Sequence, residues 1–102
     1  MIQHFLFVKL EDAHAEGREA FAGRLRALFA EAGVDAKIGL PADAGAAKWD
    51  LSIVIDAASL EAWHAQAKAP AVHAIFDEIA ARAHVTKRWS FDVGADAEDD
   101  AL

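Results

Sequence analysis

Five histidines are the side chains of this sequence best suited to proton transfer near neutral pH. An unperturbed imidazole has a pKa near 6.5, and burial or a carboxylate neighbour adjusts that value. His4 lies in an alternating apolar segment and shares a predicted strand face with Ile2 and Leu6. His73 borders the apolar stripe of a helical segment, on the side of Phe76. We therefore predict His4 and His73 as catalytic acid or base groups.

Both histidines also have a structural interpretation. A buried histidine can be a structural residue of the core, with its ring hydrogen-bonded to a backbone carbonyl, and this alternative stays open for His4. His73 can equally be a boundary residue between the apolar and solvated sides of its helix. If the two histidine rings converge on a cavity, we expect the lining of that cavity to be mainly apolar. Trp63 is either part of this lining or a residue of the hydrophobic core. The residues predicted to line this ligand pocket are Leu6, Ile53, Trp63, His64 and Phe76.

The composition argues against several other kinds of site. The absence of cysteine excludes disulfides, thiolate nucleophiles and zinc sites that need sulfur. No two histidines stand three or four residues apart, so no helical metal pair is present. The serines show neither a nucleophile elbow nor a phosphate loop. We expect a site without metal or cofactor.

Charge and hydropathy set the domain limits and the partners. The net charge is −7, and four of the acids lie in the last nine residues, which we expect to be an acidic disordered tail (94–102) after a single domain (1–93). Nucleic acid is excluded because it needs clustered lysine and arginine. No apolar run approaches the roughly 20 residues that cross a bilayer. We expect a cytoplasmic protein with no membrane contact.

The elements that must position these residues follow from periodicity. Alternation of apolar and polar residues predicts four strands, at 2–10, 34–40, 49–56 and 85–93. In the third, Trp49 shares the apolar face with Leu51, and Asp50 points the other way. Helical spacing predicts a helix over about 15–32, with Gly33 as its left-handed C-terminal cap. Ser59 as an N-cap and Pro70 at a first helical turn predict helices over 59–67 and 70–83.

The element order is βαββαβ, the ferredoxin-like α+β arrangement, with a four-stranded antiparallel sheet and two helices on one face. The first strand is apolar on both faces, with Leu6 on one and Phe5 and Phe7 on the other. Helices on a single face would leave a large apolar patch exposed, which monomers rarely tolerate. A second copy that packs on the open sheet face removes this patch, so we predict a homodimer, a dimeric α+β barrel.

Three segments resemble the stress-responsive dimeric alpha/beta barrel (Dabb) family. They are the opening MIQHFLFVKL, the stretch WDLSIVIDAASLEAWHAQAKAPAVHAIFDEI and the closing WSFDV, and the resemblance covers residues 1–93. It implies a homodimer with a pocket between the helices and the sheet of each subunit. For such a pocket, a small apolar or carbonyl compound is the ligand that we expect.

One plant branch of that family consists of polyketide cyclases, which use a strand histidine, a helix histidine and a tyrosine. His4 matches the strand histidine. The helix pattern His-Pro-x-His reads Ala-Pro-Ala-Val at 69–72, and His73 follows one residue late, about 100° around the helix. No tyrosine is present, and the residue at the matching position, Gln66, does not substitute for the phenol. The resemblance implies cofactor-free acid/base chemistry of the cyclase or isomerase type.

Two other functions stay open. Haem-degrading monooxygenases of related fold use a helix tryptophan and, ten residues later, a histidine that binds iron. Trp63 and His73 have that spacing, but the strand asparagine of those enzymes is absent. The third alternative is a non-catalytic stress-response dimer, because the fold alone specifies no function.

Overall fold

The computed structural model describes residues 1–94, so all but Gly94 of the predicted acidic tail lies outside the described residues. The strands are β1 (Ile2–Leu10), β2 (Ala36–Gly39), β3 (Leu51–Ala57) and β4 (Ala83–Asp92), and the helices are α1 (Asp12–Ala15), α2 (Arg18–Glu31), α3 (Leu60–Lys68) and α4 (Pro70–Arg82). The strands form one antiparallel sheet in the order β2-β3-β1-β4. Within residues 1–94, no helix is both long enough and apolar enough to span a bilayer.

Local sequence explains where most helices begin and end. The Ser59 side chain accepts a hydrogen bond from the Ala62 N–H at 3.0 Å, as an N-cap does. Pro70 is the first residue of α4, so its missing N–H costs no helical hydrogen bond. Gly33 has a φ of +73°, the left-handed conformation that ends α2. These three predictions are confirmed.

The start of the first long helix differs from its prediction. The pattern predicts one helix from about residue 15, but a separate turn, α1, ends at Ala15 and α2 begins at Arg18. Gly17 lies between them and takes the N-cap position of α2. Glycine is costly inside a helix because of its backbone entropy, so the chain breaks there.

The core lies between the sheet and the helices. Side chains of β1 alternate strictly, and those on the helix side are buried, from Ile2 through His4 to Leu10. Leu51, Ile53 and Ile55 of β3 continue the same layer, each at most 1% exposed. The helices cover this layer with buried residues Phe21, Ala22, Leu25, Phe29, Trp63, Val72, Ile75 and Ile79.

The prediction for Trp49 and Asp50 was wrong. β3 begins at Leu51, so the strand alternation does not extend back to these two residues. Trp49 lies on the sheet face opposite the helices, with its ring 5.9 Å from that of Phe7. Asp50 points inward and is only 2% exposed. The reason lies at the end of the central strand β1, where the buried Leu10 N–H needs a hydrogen-bond acceptor.

Asp50 joins three elements through one carboxylate. Its Oδ2 accepts a hydrogen bond from the Leu10 N–H at 2.8 Å, and its Oδ1 accepts one from Arg18 Nη1 at 3.2 Å. Lys9 Nζ lies 3.8 Å from Oδ2. The carboxylate thereby ties the end of β1 to the start of α2 and of β3.

We predict that Asp50→Ala lowers the free energy of unfolding by about 2 to 3 kcal/mol, because it leaves a backbone donor and a cation without their acceptor. Asp50→Asn keeps an acceptor for Leu10 and loses only the charge, so it is expected to cost about 1 kcal/mol. Urea denaturation at pH 7 measures both. Equal stability of wild type and Asp50→Ala would show that this network contributes nothing.

The other face of the sheet carries no helix and is rich in aromatic side chains. Phe5 and Phe7 of β1 lie beside Phe91 and Trp89 of β4, with ring centroids 5.7 and 5.6 Å apart. Trp89 is 43% exposed and Phe91 54%. We call this surface the open face; Val54 and Asp56 of β3 also lie on it.

Candidate functional site

His4 is the one titratable residue on the buried side of β1. The strand is central in the sheet and pairs His4 with Ile55 of β3 and with Ser90 of β4. Directly paired residues of antiparallel strands point to the same face. Ser90 is therefore beside the imidazole, with its Oγ 2.8 Å from Nδ1. His4 is 5% exposed, whereas Ser90 is exposed.

Two aromatic residues cover the imidazole from the helix layer. Trp63 of α3 stacks on His4 with ring centroids 4.6 Å apart and planes at 27°. Phe76 of α4 meets Trp63 edge to face at 6.0 Å. The Arg88 guanidinium lies over the ring of Phe76, 5.1 Å from its centroid. We call these residues, His4, Trp63, Phe76, Arg88 and Ser90, the His4 cluster.

The surroundings of His4 hold its ring neutral. Its pKa is lowered from 6.5 to about 4, chiefly because burial disfavours the charged form, and further by nearby Arg88 and His64. Its Nε2 is buried and has no hydrogen-bond partner among the described residues. In the tautomer that carries its proton on Nδ1, Nδ1–H donates to Ser90 Oγ and Nε2 has a free lone pair. This lone pair is a proton acceptor for a molecule that displaces part of the cover over Nε2.

The lowered pKa makes stability depend on pH in a defined direction. The unfolded chain takes up a proton near pH 6.5, and folded His4 does so only near pH 4. The contribution of neutral His4 to the stability of the folded state is therefore complete above pH 6.5, and it is lost as the pH falls toward 4. From this group alone, we predict a fall of about 2 kcal/mol in the free energy of unfolding between pH 7.5 and pH 5.

Urea denaturation at the two pH values tests this prediction in matched variants. His4→Gln removes the titrating group and is expected to lose about 2 kcal/mol less than wild type over the same range. His14→Gln removes an exposed histidine and serves as the control. An equal loss in wild type and His4→Gln would contradict the predicted burial of a neutral ring.

The remaining predicted pocket residues fall into two groups. Trp63 and Phe76 contact each other in the His4 cluster, and His64 is exposed on α3 within electrostatic range of His4. Leu6 and Ile53 are 2% and 0% exposed and pack in the core, where they fill space between sheet and helices. They do not form the wall of an open pocket.

His73 lies apart from the His4 cluster. Its side chain is 67% exposed on α4, and its Nδ1 is 3.1 Å from the Asp77 carboxylate one turn further on. Trp63, its counterpart in the haem alternative, is buried against His4 instead. The structure does not bring His73 together with either His4 or Trp63.

Sequence reasoning missed Ser90 and Arg88. Both lie on the helix side of β4, where His4 pairs with Ser90 and Leu6 with Arg88. The register of β1 against β4 was the only signal that could have found them, and periodicity within one strand does not specify register. No group of three or more His, Asp or Glu residues suited to a metal occurs within residues 1–94.

A separate small cavity of about 70 Å³ opens at the β2 edge of the open face. Its walls are mostly apolar and include Phe7, Leu40, Pro41 and Trp49. It contains no titratable side chain, so it offers no acid or base. Two larger cavities elsewhere are lined in part by charged residues, one by Glu16, Arg18 and Glu19 and the other by Lys9, Asp12 and His84.

No family model matches the sequence, and no curated protein matches it. Solved structures do match in shape. A dimeric ferredoxin-like protein of unknown function from Thermobifida fusca is 14% identical, with 88% of each chain covered and a TM-score of 0.71. Hydroxynitrile lyase from Passiflora edulis is 9% identical, with 92% of this chain and 94% of that chain covered and a TM-score of 0.73.

An antibiotic biosynthesis monooxygenase is a third match, 7% identical over 90% of this chain and 97% of that chain, with a TM-score of 0.67. These identities are too low to transfer an activity, and what they share is the fold. The chain has the ferredoxin-like fold, as the sequence predicts.

Proposed function

We propose that the protein is a homodimer in which each subunit carries a cofactor-free acid/base site centred on His4, acting by proton transfer on a small carbonyl compound. The single observation that carries the proposal is the state of the His4 ring. The ring is buried, its burial lowers the pKa to about 4, its Nδ1 lies 2.8 Å from Ser90 Oγ, and its Nε2 has no hydrogen-bond partner within residues 1–94. The absence of cysteine is consistent with a reducing cytoplasm.

The reaction that this geometry supports is a proton shift next to a carbonyl group. Nε2 takes a proton from the carbon beside the carbonyl, and the electron pair of that C–H bond forms the enolate. Nδ1–H continues to donate to Ser90 Oγ, which stabilises the imidazolium. The proton on Nε2 then passes to the enolate oxygen, or to carbon in reverse. Atoms and charge balance without a cofactor.

Two features support a carbonyl ligand. Trp63 and Phe76 provide an apolar surface beside the ring, suited to the carbon skeleton of a small molecule. Exposed Ser90 borders the site on its solvent side, and a ligand reaches the buried Nε2 by displacing part of the side chains that cover it. The structurally similar hydroxynitrile lyase is by its name an enzyme that cleaves hydroxynitriles, so this fold supports lyase chemistry in at least one protein.

The open face supports the homodimer. Four aromatic side chains of β1 and β4 stand there without a covering helix, and Trp89 and Phe91 are 43% and 54% exposed. Asp56 Oδ1, on the same face, is buried and has no partner among the described residues. A second copy would cover the aromatic surface and offer donors to this oxygen. The similar structure from Thermobifida fusca is itself dimeric.

The test combines mass with turnover. Native mass spectrometry of the purified protein reports the number of subunits and any retained small molecule. The conversion of the enol of phenylpyruvate to its keto form, followed by ultraviolet absorbance, measures proton transfer at a carbonyl compound. We expect a dimer that accelerates this conversion.

Each alternative function gives a different result. A dimer that leaves the rate unchanged and shows no turnover with other oxo compounds would favour the non-catalytic module. An intense absorption band on addition of haem, abolished by His73→Ala, would favour the monooxygenase. A mass equal to one chain would remove the dimer from the proposal.

A further inference from the structure

Arg88 lies beside the proposed acid/base site. It is two positions from Ser90 on β4, and alternate residues of a strand share a face, so both side chains are on the His4 side of the sheet. The guanidinium is held over the Phe76 ring, 5.1 Å from the centroid. Arg88 is exposed, so a molecule that enters from solvent meets its charge next to the site.

Arg88 has no acidic partner among residues 1–94, where the ion pairs involve other cations. Asp92 is the one acid on the same face of β4, and it is already engaged. Its Oδ1 accepts a hydrogen bond from the Gly94 N–H at 2.9 Å and lies 3.9 Å from the N-terminal amine. The positive charge beside His4 is thus left for a ligand.

The single charge and the planar shape of the Arg88 guanidinium indicate the chemical class of the ligand. A guanidinium presents a planar fork that binds a carboxylate through two parallel hydrogen bonds. One positive charge balances one negative charge, so a monoanion fits this apolar surrounding better than a phosphate dianion. Arg88 and Ser90 are alternate residues, roughly 7 Å apart along the strand, so the carboxylate and the reacting carbon must be close neighbours in the ligand.

We infer that the ligand of the His4 cluster is a small oxo acid whose carboxylate binds Arg88 while the carbon beside its carbonyl faces His4. The inference rests on the proposed function and adds the substrate class. Electrostatic coupling supports it: after burial, the charge of Arg88 is the next cause that lowers the pKa of His4. A carboxylate on Arg88 offsets that charge and makes proton uptake by His4 easier.

The test compares two probes that differ in charge and by one methyl group, phenylpyruvate and its methyl ester. Binding to the full chain is followed by NMR through the His4 and Trp63 ring signals. We expect phenylpyruvate to bind at least about tenfold more tightly than the ester, because a paired charge in a partly apolar site contributes on the order of 1.4 kcal/mol or more. Arg88→Gln is expected to remove this preference, so that the two probes bind with equal affinity.

Lys48→Gln is the control for a general effect of charge, since this exposed lysine precedes β3 at the opposite end of the sheet from His4. It should leave the preference intact. If both probes shift the His4 signals with equal affinity, or if Arg88→Gln keeps the preference, the oxo-acid inference is wrong and the His4 site stands. If neither probe affects His4, both the inference and the proposed function fail.

Discussion

Replacement of Trp89 by aspartate is expected to convert the proposed homodimer into folded monomers. Trp89 is 43% exposed in the single chain and belongs to the aromatic group of the open face. A two-fold axis places each residue in the interface twice, so one substitution removes two tryptophans and buries two carboxylates. At 2 kcal/mol or more for each such central aromatic, we expect the dimer dissociation constant to rise at least about 10³-fold.

Sedimentation at micromolar concentration measures the change, and circular dichroism shows whether the monomer is folded. Thr86→Asp is the matched control, because Thr86 is exposed on the same strand but its side chain points to the helix side. It should sediment as wild type does. A wild-type dimer that survives Trp89→Asp would place the interface elsewhere, and a monomeric wild type would refute the dimer directly.

The aromatic side chains of the open face also show how far the fold follows from sequence. β1 is apolar on both faces, and that pattern predicts a central strand whose two faces are both covered, one by helices and the other by a second copy. Gly33, Ser59 and Pro70 then mark helix ends through backbone chemistry that operates within a few residues. Local rules of this kind need no knowledge of distant contacts, so the order of elements could be predicted.

Trp49 and Asp50 show where such rules stop. Strand alternation predicts Asp50 on the solvated side, but the Leu10 N–H and Arg18 require its carboxylate inside. That requirement comes from residues 40 and 32 positions away in sequence. The same limit applies to the site, where His4 was found from its own strand and Ser90 and Arg88 were not. Their places depend on the pairing of the first and last strands.

Replacement of His4 by alanine is expected to slow the proposed proton transfer by about 10² to 10⁴-fold, the usual contribution of a positioned acid or base. The substitution removes the Nε2 lone pair. Among the described residues, His4 is the titratable residue whose ring stacks on Trp63, so no second base occupies this position. The rate of phenylpyruvate ketonisation in wild type and variant measures the effect. Ser90→Ala keeps the base but frees Nδ1, so it is expected to lose less, about tenfold.

The pH dependence distinguishes a buried neutral base from an ordinary histidine. Because the pKa of His4 is lowered to about 4, kcat/KM in the free protein should stay level down to about pH 5 and then fall tenfold per unit below pH 4. An unperturbed imidazole would already be about nine-tenths protonated at pH 5.5. A rate that halves near pH 6.5 would therefore show that the buried ring is not the base. A level rate through pH 5.5, lost in His4→Ala, would identify the buried ring as the base, because burial shifts its protonation to so low a pH.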